Sequence, residues 1–402
     1  MPSSKVTKID ENILRERLAA FEPEPLVRYE QIKDKHDIEI PCVTADQETI
    51  NLAQANYLNI LNNNDIKKTS ENIIRKYGVG TCGPRAFYGT TDVHLKLEEH
   101  IASFLGMDES IVYSYGFVAI SSSIAAYCKK NDVVFTHKDC NIAIQQGLQM
   151  AKSKVCYFDH QDPNSFAREV NKIVELEKGK KKVSRKFLIV EAVSWSTGQI
   201  LPLPEYLQIA EENIIRVFLE ESYSIGILGR SGKGMLEHFD IDSYRVDMII
   251  STLEAAVGSI GGFCAGSHTA IEHQRLSGSG YIFSASLPTY LVQACIESID
   301  LITEETTKKL GVLSKKFHST LLNCGYNVQS NPLSAFKVFT VKEKDPNLIK
   351  QKVQNIYEYC KDNGIFLILK ENALMANLNI VLLDQPERYE KIEKVLTSAT
   401  SL

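Results

Sequence analysis

The chain has 402 residues, 44% hydrophobic and 24% charged, with a formal net charge of −5. That is the composition of a folded protein and not of a disordered one, long enough for more than one domain. The acidic balance gives no general pull toward nucleic acid, and none is expected as a partner. Nine cysteines are spread singly. With no CxxC pair and no His/Cys metal spacing, reduced thiols in a cytosol-facing compartment are expected, and no metal site.

The N-terminal stretch is polar, without a signal-peptide core. No apolar run reaches about 18 residues, so no transmembrane helix is expected. "DENILRERLAAF" has helical spacing and is stopped by the prolines of "EPEPLVRY". "IKKTSENIIRKYG" reads as a helix ended by Gly78. A Gly-rich segment follows, "GVGTCGPRAFYGTTDVH". From Leu95 the pattern alternates. "LKLEEHIASFLG" and "AISSSIAAYC" are helical, while "SIVYSYG", "DVVFT", "KVCYF", "RKFLIVEAVS", "IIRVFLEES" and "DMIIST" are strands. Strands separated by helices indicate an α/β domain with a mostly parallel sheet. After Pro288 one long helical stretch leads into a smaller α+β region with strands "AFKVFTV", "GIFLIL" and "NLNIVLL". The run "EKGKKKVSRK" reads as a solvated loop.

Several motifs look functional and are not. "GVGTCG" matches G-x-G-x-x-G, yet a dinucleotide fingerprint needs a strand before it and a helix opening at it. Here a helix precedes it and Pro84 and Arg85 follow. "GRSGKG" lacks the spacing of a P-loop and reads as a turn. More informative is "FLEESYSIGILG", a buried strand that delivers Glu220 and Glu221 at its C-terminal end, where open α/β sheets bind ligands. Local capping suits Glu221 better than Glu220. "STLEAAVGSIGGF" has the small residues and glycines of a catalytic loop but no lysine, cysteine or histidine. Ser251, Thr252, Ser259 and Glu254 are its reactive groups.

Together, "KYGVGTCGPRAFYGTTDVHLKLE", "VYSYGF", "FLEESYSIGILG", "IGGFCAG" and "HQRLSGSGYIFSASLP" closely resemble the subunit-1 family of serine palmitoyltransferases, within the α-oxoamine synthases. The resemblance runs from about Pro23 to beyond residue 300. It implies the aspartate-aminotransferase fold (fold type I). A large, mostly parallel-sheet domain over 61–290 would follow an arm over 1–60 and precede a small C-terminal α+β domain over 291–402, with active sites at a dimer interface. Catalytic relatives carry a Thr-x-x-Lys loop whose lysine holds pyridoxal phosphate. Counted from Thr252, that position is Ala255, and a methyl cannot form an imine. The resemblance places the ring-stacking histidine at Asn141 and the acid on the pyridine nitrogen at Glu220. It places a further histidine at Tyr223 and a carboxylate-gripping arginine at about Asn379.

The implied function is that of a non-catalytic subunit. Its partner would be the lysine-bearing catalytic subunit 2 of serine palmitoyltransferase, which would bind the pyridoxal phosphate. Small activating and regulatory membrane subunits would join them at the cytosolic face of the endoplasmic reticulum membrane. The Gly-rich loop is expected to cross to the partner's site with Arg85 as a cation, Tyr88 as a hydroxyl and Cys82 as a small buried side chain. Ala86 replaces a glycine of the subunit-1 pattern, at a cost of about 1 kcal/mol if its φ is positive. Subunit-1 relatives usually carry a membrane helix before "EPEPL", so either truncation or docking through the partner is expected. Two other readings are a scaffold paralogue without a catalytic partner and an independent enzyme with another nucleophile.

Overall fold

The computed structural model describes residues 38–39 and 49–400. The arm helix expected over "DENILRERLAAF" lies outside them. Two short strands come first, β1 (Ile38–Glu39) and β2 (Ile50–Asn51). The helix Asn64–Tyr77 starts where the Asn63 side chain accepts the N–H groups of Asp65 and Ile66, and stops at Gly78, whose φ is 79°.

Seven strands then build the large sheet: β3 (Glu109–Tyr113), β4 (Val133–His137), β5 (Lys154–Phe158), β6 (Lys186–Glu191), β7 (Ile215–Glu220), β8 (Met248–Thr252) and β9 (Gly262–Gly266). Their order is β3-β9-β8-β7-β6-β4-β5. All neighbouring pairs are parallel except those made by β9, which runs against both β3 and β8. Side chains alternate across the sheet. Leu188, Val190, Val217, Leu219 and Ile249 enter one core, with the helices Asp92–Leu105 and Leu203–Glu212. Phe187, Ile189, Phe218, Met248 and Ile250 enter the other, under the helices Gly116–Tyr127 and Ile142–Ala151. Both faces are covered, which is why these strands read as unbroken apolar runs.

The β9 strand has no counterpart in the sequence expectations. Its glycines read as a loop, but they serve close approach. A Cβ at Gly262 would stand 2.7 Å from the Ala119 methyl and 2.8 Å from Gly116 Cα, so the helix Gly116–Tyr127 fits only against bare backbone.

The single long helix expected after Pro288 is two helices, Thr289–Asp300 and Glu304–Asn323. Thr303 caps the second with a reciprocal pair of hydrogen bonds to Thr306. Beyond them come β10 (Asn327–Val328), β11 (Phe336–Thr340), β12 (Ile365–Phe366), β13 (Ile368–Lys370) and β14 (Ala373–Asn377). A five-stranded sheet runs β1-β13-β14-β11-β10, and β12 pairs with β2. "GIFLIL" is therefore split between two sheets. "NLNIVLL" is not a strand: Ile380–Leu383 is a 3₁₀ turn, started by Asn379 Oδ1 accepting the Val381 N–H at 3.0 Å.

On β11, Lys337 is fully buried. Its Nζ donates to the carbonyls of Asn331 and Pro332, each at 3.1 Å, and forms no ion pair among the described residues. Burial pulls its pKa down to about 7. A lysine depressed in the folded state stabilises fully above its ordinary value of 10.5, and that contribution is lost as pH falls through 7. We expect wild-type stability in urea to rise between pH 7 and 9 by a component that Lys337→Met lacks. Parallel curves for the two proteins would refute the assignment.

Candidate functional site

The C-terminal ends of the parallel strands converge on a cluster of buried polar groups. Glu191 ends β6 and Glu220 ends β7, and the two are register partners. Both are buried. Glu191 is held from several sides. His137, at the end of β4, lies 2.5 Å from its Oε2. Asn141 donates its backbone N–H to Oε2 and its Nδ2 to Oε1, both at 3.2 Å. The Trp195 N–H reaches Oε1 at 3.3 Å. His160 adds a bond to the Glu191 carbonyl at 3.0 Å, and its ring meets that of His137 edge-on at 4.7 Å.

Burial sets the protonation. It raises Glu191 to about 7 and Glu220 to about 8, with repulsion from Glu191 as a second cause for Glu220. It lowers His137 and His160 to about 4. Burial thus disfavours charge on either member of the His137–Glu191 pair. Glu220 binds the N–H and hydroxyl of Ser222 through Oε1. Its Oε2 has no hydrogen-bond partner.

Glu221 points elsewhere. It accepts the Ser224 hydroxyl and the Met235 N–H, capping the short helix Met235–His238. The local role expected for Glu221 and the different standing of Glu220 are both present. Tyr223 stacks on Phe336 of β11, with centroids 4.9 Å apart and planes at 24°, and so links the two sheets. Asn141 is fully engaged: besides Glu191, its Oδ1 caps the helix Ile142–Ala151 through the Ile144 N–H. Asn379 donates to Asn59 at 3.4 Å and shares no hydrogen bond with this cluster among the described residues.

The loop between β8 and β9 is ordered by its own backbone. The Leu253 N–H reaches the Gly261 carbonyl at 2.8 Å and the Ser259 N–H reaches Leu253 at 2.9 Å. Ala255 is buried, and its carbonyl accepts the N–H of Tyr57. The hydroxyls of Ser251 and Ser259 donate to the carbonyls of Thr252 and Leu291, with no histidine attached. Among the described residues no cluster of metal-ligating side chains is present, and no helix is long and apolar enough to cross a membrane.

Three features mark the Gly-rich loop, and the last departs from its expectation. Cys82 is exposed in this chain alone, with φ 55°. Ala86 has no positive φ. Arg85 turns inward: it is 4% exposed and pairs with Glu98 at 2.9 Å. It also donates to the Val112 carbonyl at 3.2 Å and to Thr90 Oγ1 at 3.0 Å. Ser286 pins the loop from below, binding the carbonyls of Gly83 and Gly89. The tip faces out, with Phe87 65% and Tyr88 77% exposed. The sequence reading missed Glu98 as the partner of Arg85, along with Glu191, His137 and His160. The last three carry the signal that flagged Glu220, a polar group at or just beyond the end of an apolar strand.

A class follows from this architecture: a sheet of fold type I with its polar cluster at the C-terminal strand ends. The model of aminotransferase class I and II matches residues 47–380. Long chain base biosynthesis protein 1b of Oryza sativa subsp. japonica is 40% identical over 334 residues, covering 80% of this chain and 69% of the relative. Serine palmitoyltransferase 1 of Dictyostelium discoideum is 37% identical over 335 residues, covering 80% and 70%. A structure of serine palmitoyltransferase from S. paucimobilis, with a bound PLP–myriocin aldimine, superposes with TM-score 0.80 at 22% identity, covering 99% and 98%. The chain belongs to the aminotransferase class I and II family and, within it, to the family of serine palmitoyltransferase 1 and long chain base biosynthesis protein 1.

Two predictions test the site. Arg85→Ala strands the buried Glu98 carboxylate, so unfolding in urea should become easier by about 3–5 kcal/mol. Arg85→Met with Glu98→Leu should recover most of that loss. An Arg85→Ala protein of wild-type stability would contradict the inward role. For Glu220, the unfolded chain releases its proton near the ordinary value of 4.5 and the native chain near 8. The stability it contributes is full below 4.5 and lost as pH rises through 8. Glu220→Gln should therefore flatten the decline in urea midpoint between pH 5 and 8.

Proposed function

We propose that this chain is the non-catalytic subunit of a heterodimeric serine palmitoyltransferase. The joint reaction condenses L-serine with palmitoyl-CoA to 3-ketodihydrosphingosine, CO2 and free CoA. The names of its relatives support the reaction, and Ala255 supports the division of roles. The cleft keeps one feature suited to pyridoxal phosphate, the unpartnered Oε2 of Glu220. Its other residues do not fit a covalently held cofactor. Position 255 offers a methyl, Asn141 is spent on Glu191, and Tyr223 is stacked on Phe336. The lysine and the bound cofactor then belong to the partner subunit. Pyridoxal phosphate bound there supplies an electron sink for the amino-acid substrate.

This chain's part is to dock and to complete the partner's site. The support is an exposed aromatic surface around one junction. Ala285 bridges Pro84 and accepts the Ser114 hydroxyl, and Phe87, Tyr88, Tyr115 and Phe283 stand around it, each more than half exposed. Aromatic side chains of this kind anchor protein interfaces. The hydroxyl of Tyr88 is offered outward, while Arg85 acts by holding the loop in place. Assembly with a membrane-bound partner would put the chain at the cytosolic face of the endoplasmic reticulum membrane.

The test is to co-express the chain with the lysine-bearing subunit. Serine- and palmitoyl-CoA-dependent CoA release should need both chains, and activity from this chain alone would overturn the reading. Mixed alone with pyridoxal phosphate, the chain should form no borohydride-reducible adduct in this cleft. Ala255→Lys should not create a synthase in the isolated chain, because groups that act as a unit are far from additive. Phe87→Ala with Tyr88→Ala should weaken heterodimer formation at least about tenfold while leaving thermal stability unchanged.

A further inference from the structure

The opposite end of the large sheet carries a feature that the catalytic reading does not use. At the N-terminal ends of β4, β5 and β6, where Val133 pairs with Lys154 and Lys186, a groove is lined by Lys129, Lys130, Lys154, Lys180, Lys182 and Arg185. Its two acidic groups are already neutralised. Asp132 pairs with Arg185 at 2.7 Å, and Glu177 pairs with Lys186 at 2.7 Å. Lys130, Lys154, Lys180 and Lys182 form no ion pair among the described residues, and all are exposed. Lys181, also exposed, adds charge at the rim.

Two aliphatic side chains stand in the same groove. Leu176, at the end of the helix Pro163–Glu177, and Val183, in the loop after it, are each 59% exposed. Unpaired lysines beside exposed aliphatic groups fit an anionic bilayer surface. The amines meet lipid phosphates and carboxylates, and the aliphatic chains enter the headgroup boundary. A single-stranded nucleic acid would be served by aromatic platforms, and no aromatic side chain lines the groove.

We propose that this basic groove is a peripheral contact for a membrane rich in anionic lipid, made by this chain itself. The contact rests on the surface alone and holds whether or not the acyltransferase reading does. It leaves the cleft free, because the two lie at opposite ends of the strands.

The test is sedimentation of the full chain with vesicles of phosphatidylcholine, alone or with about a third phosphatidylserine, at low and high salt. Binding should need phosphatidylserine and fall steeply with salt. Each lysine near an anionic surface strengthens binding about fivefold, so Lys130→Gln with Lys180→Gln and Lys182→Gln should weaken it on the order of a hundredfold. Leu176→Ser with Val183→Ser should remove the part that survives high salt. The thermal midpoint of each variant, measured alongside, should match wild type, since all five side chains are exposed. Equal binding to both vesicle types, or wild-type binding by the triple lysine variant, would overturn the proposal. So would tighter binding to poly(U) than to the anionic vesicles.

Discussion

Two carboxyl groups that cannot both be ionised shape the centre of this molecule. Parallel register puts Glu191 opposite Glu220 with almost no access to water. Charge on both would be prohibitive at that burial. The fold answers by protonation and by surrounding Glu191 with donors. His137 and Asn141, from the end of β4 and the turn after it, and Trp195, four residues on from Glu191, converge on one side chain. That demand fixes where Asn141 points and how the chain leaves β6. It also leaves one oxygen of Glu220 without a partner.

The same economy of charge governs the Gly-rich loop. The buried Arg85–Glu98 pair ties the loop to β3 through the Val112 N–H and carbonyl. With its base fastened, the tip can hold two large aromatic rings in solvent. A free loop would fold such rings back onto its own apolar surface. Internal electrostatics thus supports an exposed aromatic surface, and the two features fall to residues two or three positions apart.

The sequence was most legible where burial on both faces left no choice of residue. The apolar runs of β6 and β7 are unmistakable for that reason, and Glu220 stood out because it broke such a run. Glu191 breaks its run in the same way, but "VEAVS" continues apolar and hides the break. β9 was illegible because its glycines answer to a neighbouring helix, not to strand propensity. "NLNIVLL" has strand composition, yet the Asn379 side chain competes for the backbone and turns it. The inward turn of Arg85 was invisible because its partner sits on a different helix. The resemblance named positions along the chain; it could not say which way each side chain faces.

One consequence lies in the β8–β9 loop. Its ends are closed by antiparallel pairing and its interior by backbone hydrogen bonds, with the Ala255 carbonyl holding Tyr57. None of these bonds involves the side chain at position 255. Shape and chemistry are therefore separable at this point. The residue at this position can change its chemistry while every backbone bond that shapes the loop stays in place.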